Sequence, residues 1–232
     1  MTAETIHVLS ESRRREYLKA LDIDLYTLRT SPQAEAGAPF DAADVAAPDW
    51  EALEAQVSNC TRCALSRTRT RTVFGIGSRQ ADWMIVGEAP GQEEDRRGEP
   101  FVGRAGKLLD EMLLAVGMDR SSAFIANVLK CRPPNNRDPA DDEADACRAY
   151  LDRQIELVSP KIILAVGRIA AQRLLQTDEP VGRLRGRTHF INSGELPVVV
   201  TYHPAYLLRS PTQKRKTWQD LVLARRTIAA ST

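Results

Sequence analysis

Four cysteines constrain this 232-residue chain more than any other feature. Cys60 and Cys63 form a C-x-x-C pair, while Cys131 and Cys147 lie far downstream and well apart. No cysteine is left over. Four thiolates can hold a tetrahedral zinc ion or an iron–sulfur cluster. Structural zinc sites usually pinch the ion between two tight pairs, and here only one pair is tight. Cys131 sits in Lys130-Cys131-Arg132-Pro133-Pro134, which reads as a strand end entering a loop. Cys147 follows the acidic run that begins at Asp141, in the first turns of an expected helix. A cubane is wider than a single ion and tolerates scattered ligands, so spacing favours a 4Fe-4S cluster over zinc. Met1 to Ser10 has no apolar core and no cleavage site, so no signal peptide is expected. The expected compartment is then the reducing cytoplasm, where four cysteines point to metal sooner than to disulfides.

A hydrophobic content of 43% supports one sizeable core. The longest apolar runs, such as Ile162 to Val166, are strand-sized, so no membrane span is expected. The net charge of +1 averages over an asymmetry. Pro32 to Gln56 holds six acids and no Lys or Arg, whereas Thr61 to Arg79 holds five arginines and no acid. Arg183, Arg185 and Arg187 make a second basic cluster; Arg209, Lys214, Arg215 and Lys216 make a third. Each cluster alone is ordinary solvated surface. Three on a nearly neutral chain point to one positive face, as a phosphate backbone requires.

Leu18, Leu21, Leu25 and Leu28 space an amphipathic helix within residues 11–29, beside Arg13, Arg14 and Arg15. Residues 31–48 are rich in Ala, Pro and Asp without periodicity and read as a linker. The expected organisation is a helical appendage at 1–30, the linker at 31–48 and one domain at 49–232. Within the domain, apolar runs at 82–86, 123–129, 161–166 and 197–201 alternate with helical patterns at 107–116, 141–158, 168–175 and 214–229. That order predicts an α/β fold: a central parallel four-stranded sheet flanked by helices, with its ligand crevice beyond the carboxyl ends of the strands.

The chemistry-bearing residues fall where that rule places a site. Gly87-Glu88-Ala89-Pro90-Gly91 follows the first run, Asn127 lies near the end of the second, and Tyr202-His203-Pro204-Ala205 follows the fourth. A carboxylate can orient water, a carboxamide can donate and accept at a base edge, and an imidazole can stabilise an oxyanion. Singly, each has a bland reading as a loop acid, a turn former or a satisfied histidine; their joint placement carries the functional reading. Neither a G-x-G-x-x-G nor a G-K-[ST] pattern follows the first strand, which counts against a dinucleotide or P-loop site. Phe101, in the glycine-rich stretch from Gly98 to Gly106, either stacks on a flat base or anchors its own loop.

Gly87-Glu88-Ala89-Pro90-Gly91 with Glu94-Asp95, Pro100-Phe101-Val102-Gly103, Asn127 and His203-Pro204-Ala205 together resemble the family 4 uracil-DNA glycosylases, the iron–sulfur members of their superfamily. The resemblance runs from about Asn59 to Arg226, and the four cysteines fit the family's 4Fe-4S pattern. It implies that Glu88 is associated with the attacking water and that Phe101 stacks on a flipped-out uracil. It further implies that Asn127 reads the uracil edge, that His203 faces O2, and that Gly87 and Ala89 line the pocket. The loop from His203 to Arg209 would approach DNA, with Leu207 or Leu208 as a wedge. Arg185, Arg209, Lys214 and Arg215 are candidates for holding the strand. Family 5 enzymes lack the acid of the first motif, and a covalent uracil-trapping variant carries a histidine in the stretch that is Pro133 to Ala146 here; neither matches. No lysine nucleophile is indicated, so a monofunctional, monomeric glycosylase acting on uracil-containing DNA is expected, with a protein partner or added DNA affinity through the N-terminal helix. A metal-stabilised binding module would leave Glu88, Asn127 and His203 without a reason to converge. A nucleotide-metabolising enzyme would lack its phosphate-binding lysine motif.

Overall fold

The computed structural model describes residues 48–230. The helix expected in residues 11–29 lies outside the described residues, as does the expected linker up to residue 47. Helix α1 (Trp50–Ser58) opens the domain, its first turn capped by Asp49, whose carboxylate accepts from the Ala52 amide at 2.9 Å. Six strands follow: β1 (Ile76–Gly77), β2 (Trp83–Gly87), β3 (Ala123–Asn127), β4 (Ile162–Val166), β5 (Thr188–Ile191) and β6 (Leu196–Thr201). The helices between and after them are α2 (Gln92–Arg97), α3 (Arg104–Leu114), α4 (Asp141–Val158), α5 (Arg168–Leu175), α6 (Val181–Leu184), α7 (Pro204–Arg209) and α8 (Lys214–Ala230). No helix among the described residues is long and apolar enough to cross a membrane.

The strands form one sheet in the order β1-β3-β2-β4-β6-β5. Its four central strands are parallel, as the sequence predicts. The sheet is larger than expected, because β1 and β5 add antiparallel edges. Every residue of β2, β3, β4 and β6 is buried. Helices cover both faces, which is why these strands read as continuous apolar runs. On one face Met84, Val86, Ala126, Ile163 and Val200 pack with Leu151 and Ile155 of α4 and Ala170 of α5. On the other Ile85, Ile125, Leu164 and Val199 pack with Leu109 and Leu113 of α3, Leu207 of α7 and Leu221 of α8.

Register brings the strand ends level. Gly87 pairs with Asn127, Val86 with Ala165, and Val166 with Thr201. The loops carrying Glu88, Arg168 and His203, and the end of β3 carrying Asn127, therefore leave one edge of the sheet. An internal ion pair braces this edge. Arg185 donates to both carboxylate oxygens of Asp220, at 3.0 and 2.8 Å, and to the Lys216 carbonyl at 2.7 Å. Thr201 donates to the same carboxylate at 2.9 Å. Arg185 is thus committed inside the fold and is not available to hold a DNA strand, correcting the expectation for it. Asp220 is fully buried, and burial pushes its carboxyl above the usual range, with Arg185 and Thr201 opposing. Truncating one member of such a pair leaves the other charge buried and uncompensated. Asp220→Ala is expected to lower the unfolding free energy by about 3–5 kcal/mol, read from urea denaturation. A loss below about 1 kcal/mol would contradict this account.

Candidate functional site

Three segments meet at Gly87. A Cβ added there would overlap Asn127 Oδ1 and stand 2.5 Å from Phe101 Cζ. Only glycine lets the amide and the ring approach this closely. Asn127 is buried, and its Oδ1 has no hydrogen-bond partner among the described residues. An unmatched buried acceptor costs about 1–3 kcal/mol, so this oxygen is built for a donor that arrives from outside.

Phe101 is a buried non-glycine residue at φ 54°, a conformation worth noting near a site. Its surroundings hold it there. Arg120 donates to the Phe101 carbonyl at 3.0 Å and to the Pro100 carbonyl at 2.5 Å. The Glu94 carboxylate accepts from the Val102 and Gly103 amides, both at 3.0 Å. Gly106 in α3 lies so close beneath that a Cβ would overlap the Phe101 carbonyl. The Phe101 ring centroid is 5.7 Å from that of His203, with the planes tilted by 30°.

His203 is the N-cap of α7, and its Nδ1 accepts from the Ala205 amide at 3.1 Å. Nδ1 must therefore carry a lone pair, which assigns the proton of a neutral ring to Nε2. Burial, with Arg209 adding to it and Glu94 opposing, pushes the imidazole pKa down to about 4. At neutral pH His203 is an uncharged donor through Nε2. Gly167, at φ 102°, ends β4 against this ring, with room for a Cβ only at 3.1 Å from His203 Cβ.

Glu88 is partly buried. Burial and Asp138 push its pKa up to about 6, and Arg168 opposes them. Asp138 and Arg168 are themselves paired at 2.6 Å, joining the loop before α4 to the first residue of α5. At neutral pH Glu88 is a carboxylate whose proton affinity suits general-base work.

The four cysteines line one small cavity with Arg62, Arg69, Lys130 and Tyr150. Arg69 donates to Cys131 Sγ at 3.2 Å and to the Cys60 carbonyl at 2.8 Å. Burial pushes the Cys147 thiol up to about 12 and raises Cys63 and Cys131 as well. Among the described residues, no three His, Cys, Asp or Glu side chains are grouped closely enough to grip a single ion.

The description "Uracil DNA glycosylase superfamily" matches residues 74–222. The chain is 42% identical over 171 residues to a type-4 uracil-DNA glycosylase of Archaeoglobus fulgidus, covering 71% of this chain and 86% of that protein. It is 42% identical over 177 residues to one of Sulfurisphaera tokodaii, covering 73% and 80%. A type-5 uracil-DNA glycosylase of Thermus thermophilus is 26% identical over 171 residues, covering 66% and 76%. The chain belongs to family 4 of the uracil-DNA glycosylase superfamily.

For a glycosylase of this family, the structure sorts the residues expected to face DNA. Leu207 is 1% exposed and packs in the core, so it is not a wedge. Its neighbour Leu208 is 39% exposed and points outward. Arg209, Lys214 and Arg215 are exposed. Several residues escaped the sequence reading. Arg120 and Lys130 gave no local signal. Glu94 stands in the quoted motif, but its role as a clamp on the Phe101 loop needs the fold. The pairing of Asp138 with Arg168 beside Glu88 joins residues thirty positions apart.

The electrostatics order the pH response. On the sequence assignment of Glu88 to the attacking water, its protonation removes a base, so kcat/KM is expected to fall as pH drops through about 6. His203 titrates lower and contributes nothing to that limb. Arg168→Gln should move the limb to higher pH and Asp138→Asn to lower pH, measured by steady-state profiles from pH 4.5 to 9. A limb that stays in place in both variants would remove Glu88 as its source.

Proposed function

We infer that this protein hydrolyses the N-glycosidic bond of deoxyuridine flipped out of DNA, leaving an abasic site, as the first step of base excision repair. The observation that carries this reading is the unmatched Oδ1 of Asn127, set with the Phe101 ring against Gly87. Uracil offers the missing donor: its N3–H meets Oδ1, and the amide nitrogen of Asn127 donates to O4. The flat ring lies on Phe101. The His203 Nε2–H faces O2, where negative charge grows as the bond to the sugar lengthens. A neutral donor aimed at that oxygen typically contributes about 3–4 kcal/mol to the transition state. The Glu88 carboxylate opposes the positive charge building on the sugar and takes the proton of the attacking water as its oxygen bonds to C1′. Uracil leaves as an anion and is protonated afterwards.

Among the described residues, no lysine stands beside Glu88, Asn127 and His203 as a free nucleophile. Lys130, three residues after Asn127, is fully buried, and its ammonium donates to the Asn127 carbonyl and to Gln154. This supports a monofunctional enzyme. The target base must leave the duplex stack, which costs a few kcal/mol, and Leu208 with Arg209, Lys214 and Arg215 is placed to offset that cost. We assign the catalytic unit to residues 49–232, acting as a monomer, and leave residues 11–29 to a protein or DNA partner.

The cysteines fit a 4Fe-4S cluster. Four thiols share one cavity, they are not grouped as for one ion, and Arg69 and Lys130 lie beside them to balance ligated thiolates. Cys60, Cys63, Cys131 and Cys147 would each hold one iron. When bound, the cluster supplies a cross-link between the basic loop, the segment after β3, and α4.

Two measurements test these assignments. A labelled uracil-containing oligonucleotide incubated with the protein and then treated with alkali should break at the uracil. No break above a uracil-free control would sink the reading. His203→Ala should lower kcat about 100- to 1,000-fold. Chemical analysis of the purified protein should find iron and labile sulfide at about four each per chain, with both lost in Cys147→Ser; zinc without sulfide would refute the cluster.

A further inference from the structure

Trp218 is 48% exposed on α8, one of four large apolar side chains left open among the described residues. Lys214 and Arg215 stand one turn before it and Arg225 two turns after it, so helical spacing places all four along one stripe. All three cations are exposed, and none is ion-paired among the described residues. From His203 to Gln219 there is no carboxylate side chain, and the next acid, Asp220, is fully buried.

Two hydrogen bonds fix where this stripe stands. Asp220 accepts from Thr201, the last residue of β6, at 2.9 Å. Seven residues later, Thr227 meets Thr188 at 3.1 Å, and Thr188 is in register with Val199. The helix therefore descends from the carboxyl edge of the sheet, and the residues before Asp220 stand beyond that edge. At a rise of about 1.5 Å per residue, Trp218 is roughly 3 Å and Lys214 roughly 9 Å past the level of Asp220. Lys214, Arg215 and Trp218 thus stand beyond the sheet edge from which the Glu88 and His203 loops leave, while Arg225, five residues after Asp220, lies roughly 7.5 Å back along the helix.

A flat exposed indole among unpaired cations matches a polyanion that also presents flat rings. In a duplex the base faces are hidden in the stack, so the indole can only take a base that is unpaired. We propose that Trp218, with Lys214, Arg215 and Arg225, is a stacking platform for an unpaired base of the strand flanking the uracil, giving this protein a grip on single-stranded DNA. The proposal rests on the DNA-glycosylase reading above but concerns a surface outside the pocket.

The test uses full-length protein and uracil-free strands, so its outcome is independent of glycosylase activity. Binding of a labelled single-stranded oligonucleotide is measured by fluorescence anisotropy. A strand of equal length lacking its bases serves as the comparison, since it keeps the phosphates and removes the stacking partners. Trp218→Ala is expected to weaken binding of the base-bearing strand about tenfold and to leave the abasic strand unchanged. Trp218→Phe should restore most of the loss. Arg215→Ala should weaken both strands alike. An unchanged urea midpoint for Trp218→Ala shows that the fold is kept. Binding of the base-bearing strand within twofold of wild type, or an equal loss on both strands, overturns the platform.

Discussion

Lys130 carries an ammonium that is fully buried, 2.8 Å from the Asn127 carbonyl and 2.6 Å from Gln154 Oε1. Taking such a charge out of water costs several kcal/mol, and two neutral acceptors offset only part of it. Its pKa is pushed down to about 8 by burial, against the pull of Cys147 and Cys131. Ligated thiolates at those two positions, as in the proposed cluster, would supply the negative charge this ammonium lacks. The same residue fixes the backbone of Asn127, the residue proposed to read the base. Gln154 extends the network by donating to the Phe74 carbonyl at 2.9 Å. One buried cation thus couples the end of β3, α4, the loop before β1 and the cysteine cavity. The cluster proposed above would hold the pocket's geometry through this network while standing outside the chemistry.

The Phe101 loop is held by contacts from elsewhere. The left-handed backbone at Phe101 persists because Arg120, Glu94 and Gly106 hold it from three directions. Asp95 in turn accepts from the Thr70 and Arg71 amides, at 2.8 and 3.3 Å, which fastens the basic loop to the same motif. With the ring pre-set, a base stacking on Phe101 as proposed would meet a surface that need not reorganise, and binding free energy would not be spent on ordering the loop.

The four parallel strands were legible because burial on both faces writes them as unbroken apolar runs. The edge strands were not: β1 is two residues within a basic loop, and β5 is short and part-exposed. Helix α3 begins at Arg104 rather than at residue 107, because the Glu94 carboxylate caps it from outside through the Gly103 amide. No residue within the helix signals that start. The candidate site was legible as residue types at one sheet edge, and its roles came from family resemblance. What the chain order hid was pairing. Leu207 and Leu208 are equivalent as text, yet about 100° of helical rotation puts one in the core and the other in solvent. Arg185 looked like its basic neighbours until the fold set Asp220 against it.

One hydrogen bond at the pocket has a wider consequence. By accepting from the Ala205 amide, His203 commits the one lone pair through which its neutral ring would take up a proton. Taking up a proton there would set two N–H groups against each other. Near neutral pH the imidazole is therefore suited to donating a hydrogen bond and poorly suited to accepting a proton from water. On the roles proposed above, a chain without Glu88 would find in this histidine a poor substitute base near neutral pH and would need another way to deprotonate or position the nucleophile. The two proposed roles would then not be interchangeable.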